Sequence, residues 1–208
     1  VLEKRGKWGG LILLGNAPTN RATTTTIEGI TAQTYGGTNP TDSSGSMQYV
    51  RVWHGGAVVG ANNEINGITF GGVGSGTVVD HCEVAYSADD GFEFFGGTVN
   101  VKYLSVLFAG DDAFDTDEGY VGKGQFLFAM LGAVGNHGAE MNSLYGSMPR
   151  SHPAFNGMTI VGAGALSTRV SNAMMCLRKG TGGKFGNLIL ANVATHPGIR
   201  IDTCSHSG

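Results

Sequence analysis

Nine acidic residues and a single lysine, Lys102, fall between Glu83 and Glu118. They come in two clusters. A-D-D-G-F-E-F-F-G-G carries Asp89, Asp90 and Glu93, and G-D-D-A-F-D-T-D-E-G-Y carries Asp111, Asp112, Asp115 and Asp117. The clusters are one motif written twice: Asp89 repeats as Asp111, Asp90 as Asp112, Phe92 as Phe114 and Glu93 as Asp115, always 22 residues on. Glu140, in N-H-G-A-E-M, continues the phase of Glu93 and Asp115. Carboxylates stacked about 5 Å apart repel and do not all ionise cheaply. A bound cation, raised pKa values, or satisfaction by turn amides and nearby arginines would each resolve the conflict. Hard oxygen donors suit Ca²⁺ better than a transition metal. Asp89, Asp90, Glu93, Asp111, Asp112, Asp115, Asp117 and Glu140 are therefore the candidate metal ligands. The competing reading is structural, with Asp side chains bonding turn backbone.

A second line of residues is aromatic. Tyr49, His81, Tyr103 and Phe126 alternate with the apolar Val50, Cys82, Leu104 and Leu127, so rings face outward where apolar side chains face inward. Outward rings can hold a sugar chain through CH–π contact, which makes these four the candidate ligand-binding residues. The bland alternative is that a loop covers them. Other motifs carry less. G-G-V-G-S-G lacks the Lys-Ser/Thr of a phosphate cradle. Cys82, Cys176 and Cys204 show no metal spacing; Cys82 falls on an apolar phase, and a Cys176–Cys204 disulfide is left open.

The elements that position these residues are short strands. Glycine is 36 of 208 residues and charged residues are 14%. Six-residue runs such as M-Q-Y-V-R-V, I-N-G-I-T-F and Q-F-L-F-A-M end in Gly or acidic turns, and no 3.6-residue period competes with them. Strands returning every 22 to 32 residues mark a solenoid. The expected fold is all-β: a right-handed parallel β-helix, one domain over 1–208, with 35–46 as a projecting loop. No helical cap is visible at either end, so an upstream segment or another subunit is expected to cover one of them. A formal net charge of −3 makes no general case for nucleic acid, and the apolar run Leu11–Leu14 is far too short to span a bilayer.

K-W-G-G-L-I-L-L-G-N-A-P, N-E-I-N-G-I-T-F-G-G-V-G-S-G-T and the two acidic motifs resemble a group of secreted right-handed β-helix proteins common in marine Bacteroidetes and found in some eukaryotic microbes. The resemblance covers most of Trp8 to Val193. It implies a pectin-lyase-like fold and an extracellular or cell-surface location, and it implies no reaction. The order of A-D-D-G-F, G-D-D-A-F and N-H-G is also similar to the N-T-D, D-D and G-H-G motifs of polygalacturonase-type glycoside hydrolases. That likeness implies a catalytic set of Asp90, Asp111, Asp112 and His137, with one carboxylic acid protonating the leaving oxygen and another carboxylate activating water. Ala88 and Asp89 depart from the N-T pair, Asn136 replaces the first Gly, and neither Arg178 nor Arg200 sits in the R-I-K that follows in those enzymes. The expectation is a secreted, non-enzymatic module for surface structure or for binding a polysaccharide or another surface protein, as an oligomer or a subunit of a larger assembly. A polysaccharide hydrolase or lyase is the alternative.

Overall fold

Val52, Cys82, Val84, Leu104, Val106, Leu127 and Ala129 all lie in one continuous core, each separated from the next inward residue by an outward one. This alternation gives every strand one buried face. The computed structural model describes residues 4–21, 24–27, 30–60, 63–144, 146–169, 173–193 and 197–202. Cys204, and with it the question of a Cys176–Cys204 bond, lies outside them.

Two parallel sheets form the walls of a β-helix. Sheet A orders seven strands as Leu11–Leu14, Ile68–Gly71, Phe92–Phe95, Phe114–Asp117, Ala139–Met141, Met175–Leu177 and Ile199–Ile201. Sheet B stacks the eight-residue strands Lys184–Ala191, Ala154–Val161, Lys123–Met130 and Asn100–Leu107. In its earlier coils each long strand is divided into two short ones, such as Val78–Asp80 and Glu83–Ala85. The division falls at a corner. Tyr49, His81, Tyr103 and Phe126 have φ of 56°, 51°, 54° and 59°, the left-handed region, and Gly157 and Asn187 continue the row. One left-handed residue bends the chain while the pairing resumes on either side.

Between the walls, aromatic residues stack along the axis. Phe70 lies 5.0 Å from Phe94 and Phe92 lies 5.8 Å from Phe114, ring centre to ring centre. All four are fully buried, each contributing about 1.5–3 kcal/mol of burial. Tyr120 is equally buried, and its hydroxyl donates to the Val99 carbonyl at 2.8 Å.

The coils are less regular than the 22-residue repeat implies. Glu93 and Asp115 are register partners at that spacing, but 36 residues separate Glu140 from its partner Cys176. An antiparallel hairpin, Thr25–Ile27 with Ile30–Tyr35, leaves the first coil. Tyr35 anchors it by donating its hydroxyl to Glu118 Oε2 at 2.7 Å, and Arg21 donates to Oε1 of the same carboxylate. The 35–46 segment is solvent-facing along most of its length but does not stand away from the body. Asp42 accepts the Asn16 amide at 2.9 Å, and the Pro40 carbonyl accepts from Ser75. Its polar residues, which gave no strand period, instead bond the turns of the neighbouring coils. Among the described residues no helix is long and apolar enough to cross a membrane.

Candidate functional site

Sheet A carries the acidic residues on its outer face, in two columns. One column is Asn66, Asp90, Asp112 and His137, at the turns entering the sheet. The other runs Thr69, Glu93, Asp115, Glu140, Cys176 and Arg200, each in register with the next. The glycine following Asp90 is required: a Cβ on Gly91 would stand 2.6 Å from the Ala113 carbonyl oxygen and 2.7 Å from Val106. The turn therefore hugs the core and holds the Asp side chain over the adjacent coil.

These carboxylates bond from coil to coil. Asp90 Oδ1 accepts the Asp112 amide at 2.9 Å, and Asp112 Oδ1 accepts both the His137 amide and, at 3.0 Å, faces His137 Nδ1. The turn-amide reading of the Asp pairs thus describes Asp90 and Asp112, with the amides supplied by the following coil. Glu140 binds His137 Nδ1 at 3.2 Å, the Arg178 guanidinium at 3.1 Å and the Asn142 amide at 2.7 Å. Asn66 donates to Glu93. Asp111 faces Arg169 at 3.8 Å, and Asp117 accepts the Glu118 amide and faces Lys179.

Burial dominates the electrostatics. Asp90 is 6% exposed, Asp112 3% and His137 2%. Desolvation, followed by the charges of Asp112 and Glu93, holds the Asp90 carboxyl well above the usual carboxylate range. Asp115 is displaced the same way by burial and by Glu93 and Glu140. Burial pushes Asp112 up to about 6 against the pull of His137. For His137 burial opposes the charged ring, but hydrogen bonds to Asp112 and Glu140 outweigh it and lift the imidazole to about 9. Burial likewise opposes ionisation of Glu140, but His137, Asn142 and Arg178 together lower its pKa.

The structure brings most of the candidate metal ligands into donor groups with atoms within 4.8 Å of one another: Asp89, Asp90 and Asp111; Asp90, Glu93 and Asp115; Asp112, Asp115 and Glu140. Asp117 joins none of these groups and pairs with Lys179 instead. The hydrolase-type set divides. Asp112 and His137 meet, and Asp90 and Asp111 share a donor group with Asp89, but Asp90 bonds the Asp112 amide and Asp111 faces Arg169. An open cleft over this set is not what forms, because Asp90, Asp112 and His137 are packed out of solvent. Sequence reasoning missed Cys176 and Arg200 as members of the acidic column, since the 36-residue coil hides the phase. The match of M-C-L to A-E-M could have revealed it.

The aromatic line forms a ladder at the left-handed corner of sheet B. Tyr49, His81, Tyr103 and Phe126 stack with ring centres 4.7, 4.4 and 5.1 Å apart. Tyr49 is 76% exposed, so the 35–46 segment does not cover it. Stacking turns most ring faces toward one another, leaving the ring edges and the outer face of Tyr49 to solvent. A concavity of about 540 Å³ lies beside them, lined by Tyr49, Arg51, His81, Cys82, Glu83, Tyr103 and Ser105.

A family model described as pectate-lyase like beta helix domain matches residues 2–207. Searches of curated proteins and of solved structures give no significant match. The parallel coils, the two sheets and the match over nearly the whole chain agree, and the chain belongs to the pectate-lyase-like β-helix family.

Proposed function

We propose that this chain is a secreted, non-enzymatic β-helix module that contacts a polysaccharide along the ring ladder of sheet B. The contrast in exposure carries the reading. The groups that could perform glycoside chemistry are buried and bonded to one another, whereas rings and polar groups suited to holding a sugar chain are exposed together. Tyr49 offers a free ring face, and Arg51, Glu83 and Ser105 border the concavity with hydrogen-bonding groups. The open edge of the last described coil, where Ile199 is 50% and Ile201 70% exposed, is where a neighbouring subunit of an assembly would stack. A panel of soluble polysaccharides tests the reading. Binding without release of reducing ends or unsaturated products, lost about tenfold or more in Tyr49→Ala, is the expected result. Release of product that disappears in Asp112→Asn would replace this reading with that of a hydrolase or lyase.

The acidic column supports a role for a hard cation. Asp90, Glu93 and Asp115 form an all-oxygen donor group, and Asp115 Oδ1 is buried with no hydrogen-bond partner among the described residues. The donor set fits Ca²⁺. A bound ion would offset the burial and the mutual repulsion that raise the pKa of Asp90 and Asp115.

A further inference from the structure

The formal charge of −3 is not the charge that a partner meets. Of the 16 aspartates and glutamates, Asp90, Glu93, Asp112, Asp115, Glu118 and Glu140 are buried, whereas none of the 13 lysines and arginines is. Where the charges stand, more than their sum, decides which partners a surface attracts. The buried carboxylates gather on sheet A, and cations face outward on sheet B. A concavity of about 390 Å³ lies there, across the ring ladder from the one that holds Arg51 and Glu83. Lys102 and Lys123 line it with the amides of Asn100, Gln125 and Asn156, and among the described residues no carboxylate does. Arg51, by contrast, faces Glu83 at 3.6 Å.

The register lays these groups out along the axis. Lys123 and Lys184 stand in one outward row with Ala154 between them, about 10 Å apart at two strand spacings. Lys102 stands in the next outward row, with Gln125 and Asn156 on the following coils. Asp80, its partner on the preceding coil, is held by His81. Cations spread over successive coils suit a repeating polymer; a single small anion would need them to converge on one point. The ladder acts in the same sense. Stacked rings turn their edges outward, and the edge is the positive part of the ring quadrupole. The Lys102 ammonium lies 4.9 Å from the Tyr103 ring centre and 5.5 Å from that of Phe126, so charge and ring edges share one strip. A nucleic acid strand would instead stack its bases on ring faces, but rings 4.4 to 5.1 Å apart are already closed on one another.

We propose that the polysaccharide held on sheet B is polyanionic: a chain of sugars whose carboxylate or sulfate groups lie over Lys102, Lys123 and Lys184. The inference rests on the polysaccharide reading above and names the class of chain. The ammonium groups and ring edges take the anionic substituents, and the amides of Asn100, Gln125 and Asn156 bond the hydroxyls. Attraction between exposed charges is screened by salt, so the anionic part of the affinity weakens as salt is added.

Three soluble polymers on one β-glucan backbone separate charge from backbone: hydroxyethyl cellulose, carboxymethyl cellulose and cellulose sulfate. Titration calorimetry on the full chain should show an anionic form bound about tenfold or more tighter than the neutral one, with a Kd that rises with salt. The tighter of the two anionic forms identifies the substituent. Lys102→Gln/Lys123→Gln should weaken that binding about tenfold and leave the neutral polymer unaffected. Lys7→Gln/Arg150→Gln removes the same charge at exposed residues outside the concavity, and should change the affinity by less than about twofold. None of the four substituted side chains is buried, so both variants should keep the far-ultraviolet dichroism of the wild type. Equal binding of the three polymers, or equal losses in the two double variants, would overturn the proposal and leave the polysaccharide reading standing. Failure of all three to bind would remove that reading as well. Tighter binding of oligodeoxythymidylate than of either anionic cellulose would put a nucleic acid in place of the polysaccharide.

Discussion

At Asp90 the chain holds a carboxyl that water would ionise readily and that the fold resists ionising. Desolvation is the larger cause, and the charges of Asp112, Glu93 and Asp115 add to it. A carboxyl whose pKa is raised on folding stabilises the folded state below its unfolded pKa and loses that contribution as pH rises through the folded value. Asp90, Asp115 and Asp112, the last at about 6, all act in this sense. His137, raised from 6.5 to about 9, adds stability that is complete below 6.5 and disappears as pH rises through 9. Glu140 runs the other way, its contribution vanishing in acid as pH falls below its ordinary value of 4.5. In chelator the melting temperature should therefore fall as pH is raised from about 5 to 9. Excess Ca²⁺ should lift the curve and flatten its carboxylate part, through binding to the folded state alone. Asp90→Asn should be more stable than the wild type at pH 8 in chelator, because it carries no buried charge there, and indifferent to Ca²⁺. Curves that superimpose with and without millimolar Ca²⁺ would remove the hard-cation reading. The pairing of these residues was legible because the 22-residue offset is constant over two coils. Their burial was not, since nothing in D-D-G-F says that an amide of the following coil, an Asn from another turn and His137 will close around them.

The corner of sheet B sets two local preferences against each other. Aromatic residues favour strands, yet Tyr103 and Phe126 occupy the left-handed region that L-residues enter at a cost of about 1–2 kcal/mol. Stacking offsets that cost: Tyr103 lies between His81 and Phe126, and the Lys102 ammonium sits 4.9 Å from its ring centre. The outward phase of these rings could be read from their alternation with Cys82, Leu104 and Leu127. The backbone reversal could not, because left-handed positions usually declare themselves by Gly or Asn, and only the later coils do so, at Gly157 and Asn187. Tyr103→Ala should lose the stacking while keeping the strained backbone. Tyr103→Gly should lose the same stacking and relieve the strain. Chemical denaturation should accordingly rank wild type above the glycine variant, and the glycine variant above alanine by about 1 kcal/mol. An alanine variant as stable as glycine would mean that the corner is not strained.

A solenoid has no centre in sequence, only a middle coil and two ends. Along each sheet a coil pairs only with its neighbours, so stability approaches a sum of nearest-neighbour terms, with the Arg21 and Tyr35 bonds to Glu118 as longer ties. The period exposed this architecture from one repeated motif, although it missed the Thr25–Tyr35 hairpin, whose antiparallel pairing is independent of the coils. It also could not show how unevenly the core is sealed. Phe92, Phe94, Phe114 and Met141 are fully buried on sheet A, whereas Ile199 and Ile201, in register with Met175 and Leu177, are largely exposed. On sheet B, Leu188 and Leu190 are only partly buried, unlike their partners Met158 and Ile160. Among the described residues the last strand of each sheet pairs with a single neighbouring coil. Opening should begin at that end, because local unfolding takes the elements with least buried contact first. Hydrogen exchange should therefore show a gradient along the axis: amides of Phe92–Phe95 and Phe114–Asp117 slowest, those of Met175–Leu177 intermediate, and those of Ile199–Ile201 fastest. A ligand or subunit stacked on the open edge would abolish the gradient by slowing the last strand, and the slowing would grow with protein concentration if the partner is a second copy. Uniform exchange across all three segments, independent of concentration, would mean that the chain opens as one cooperative unit and that its exposed isoleucines do not mark a weak end.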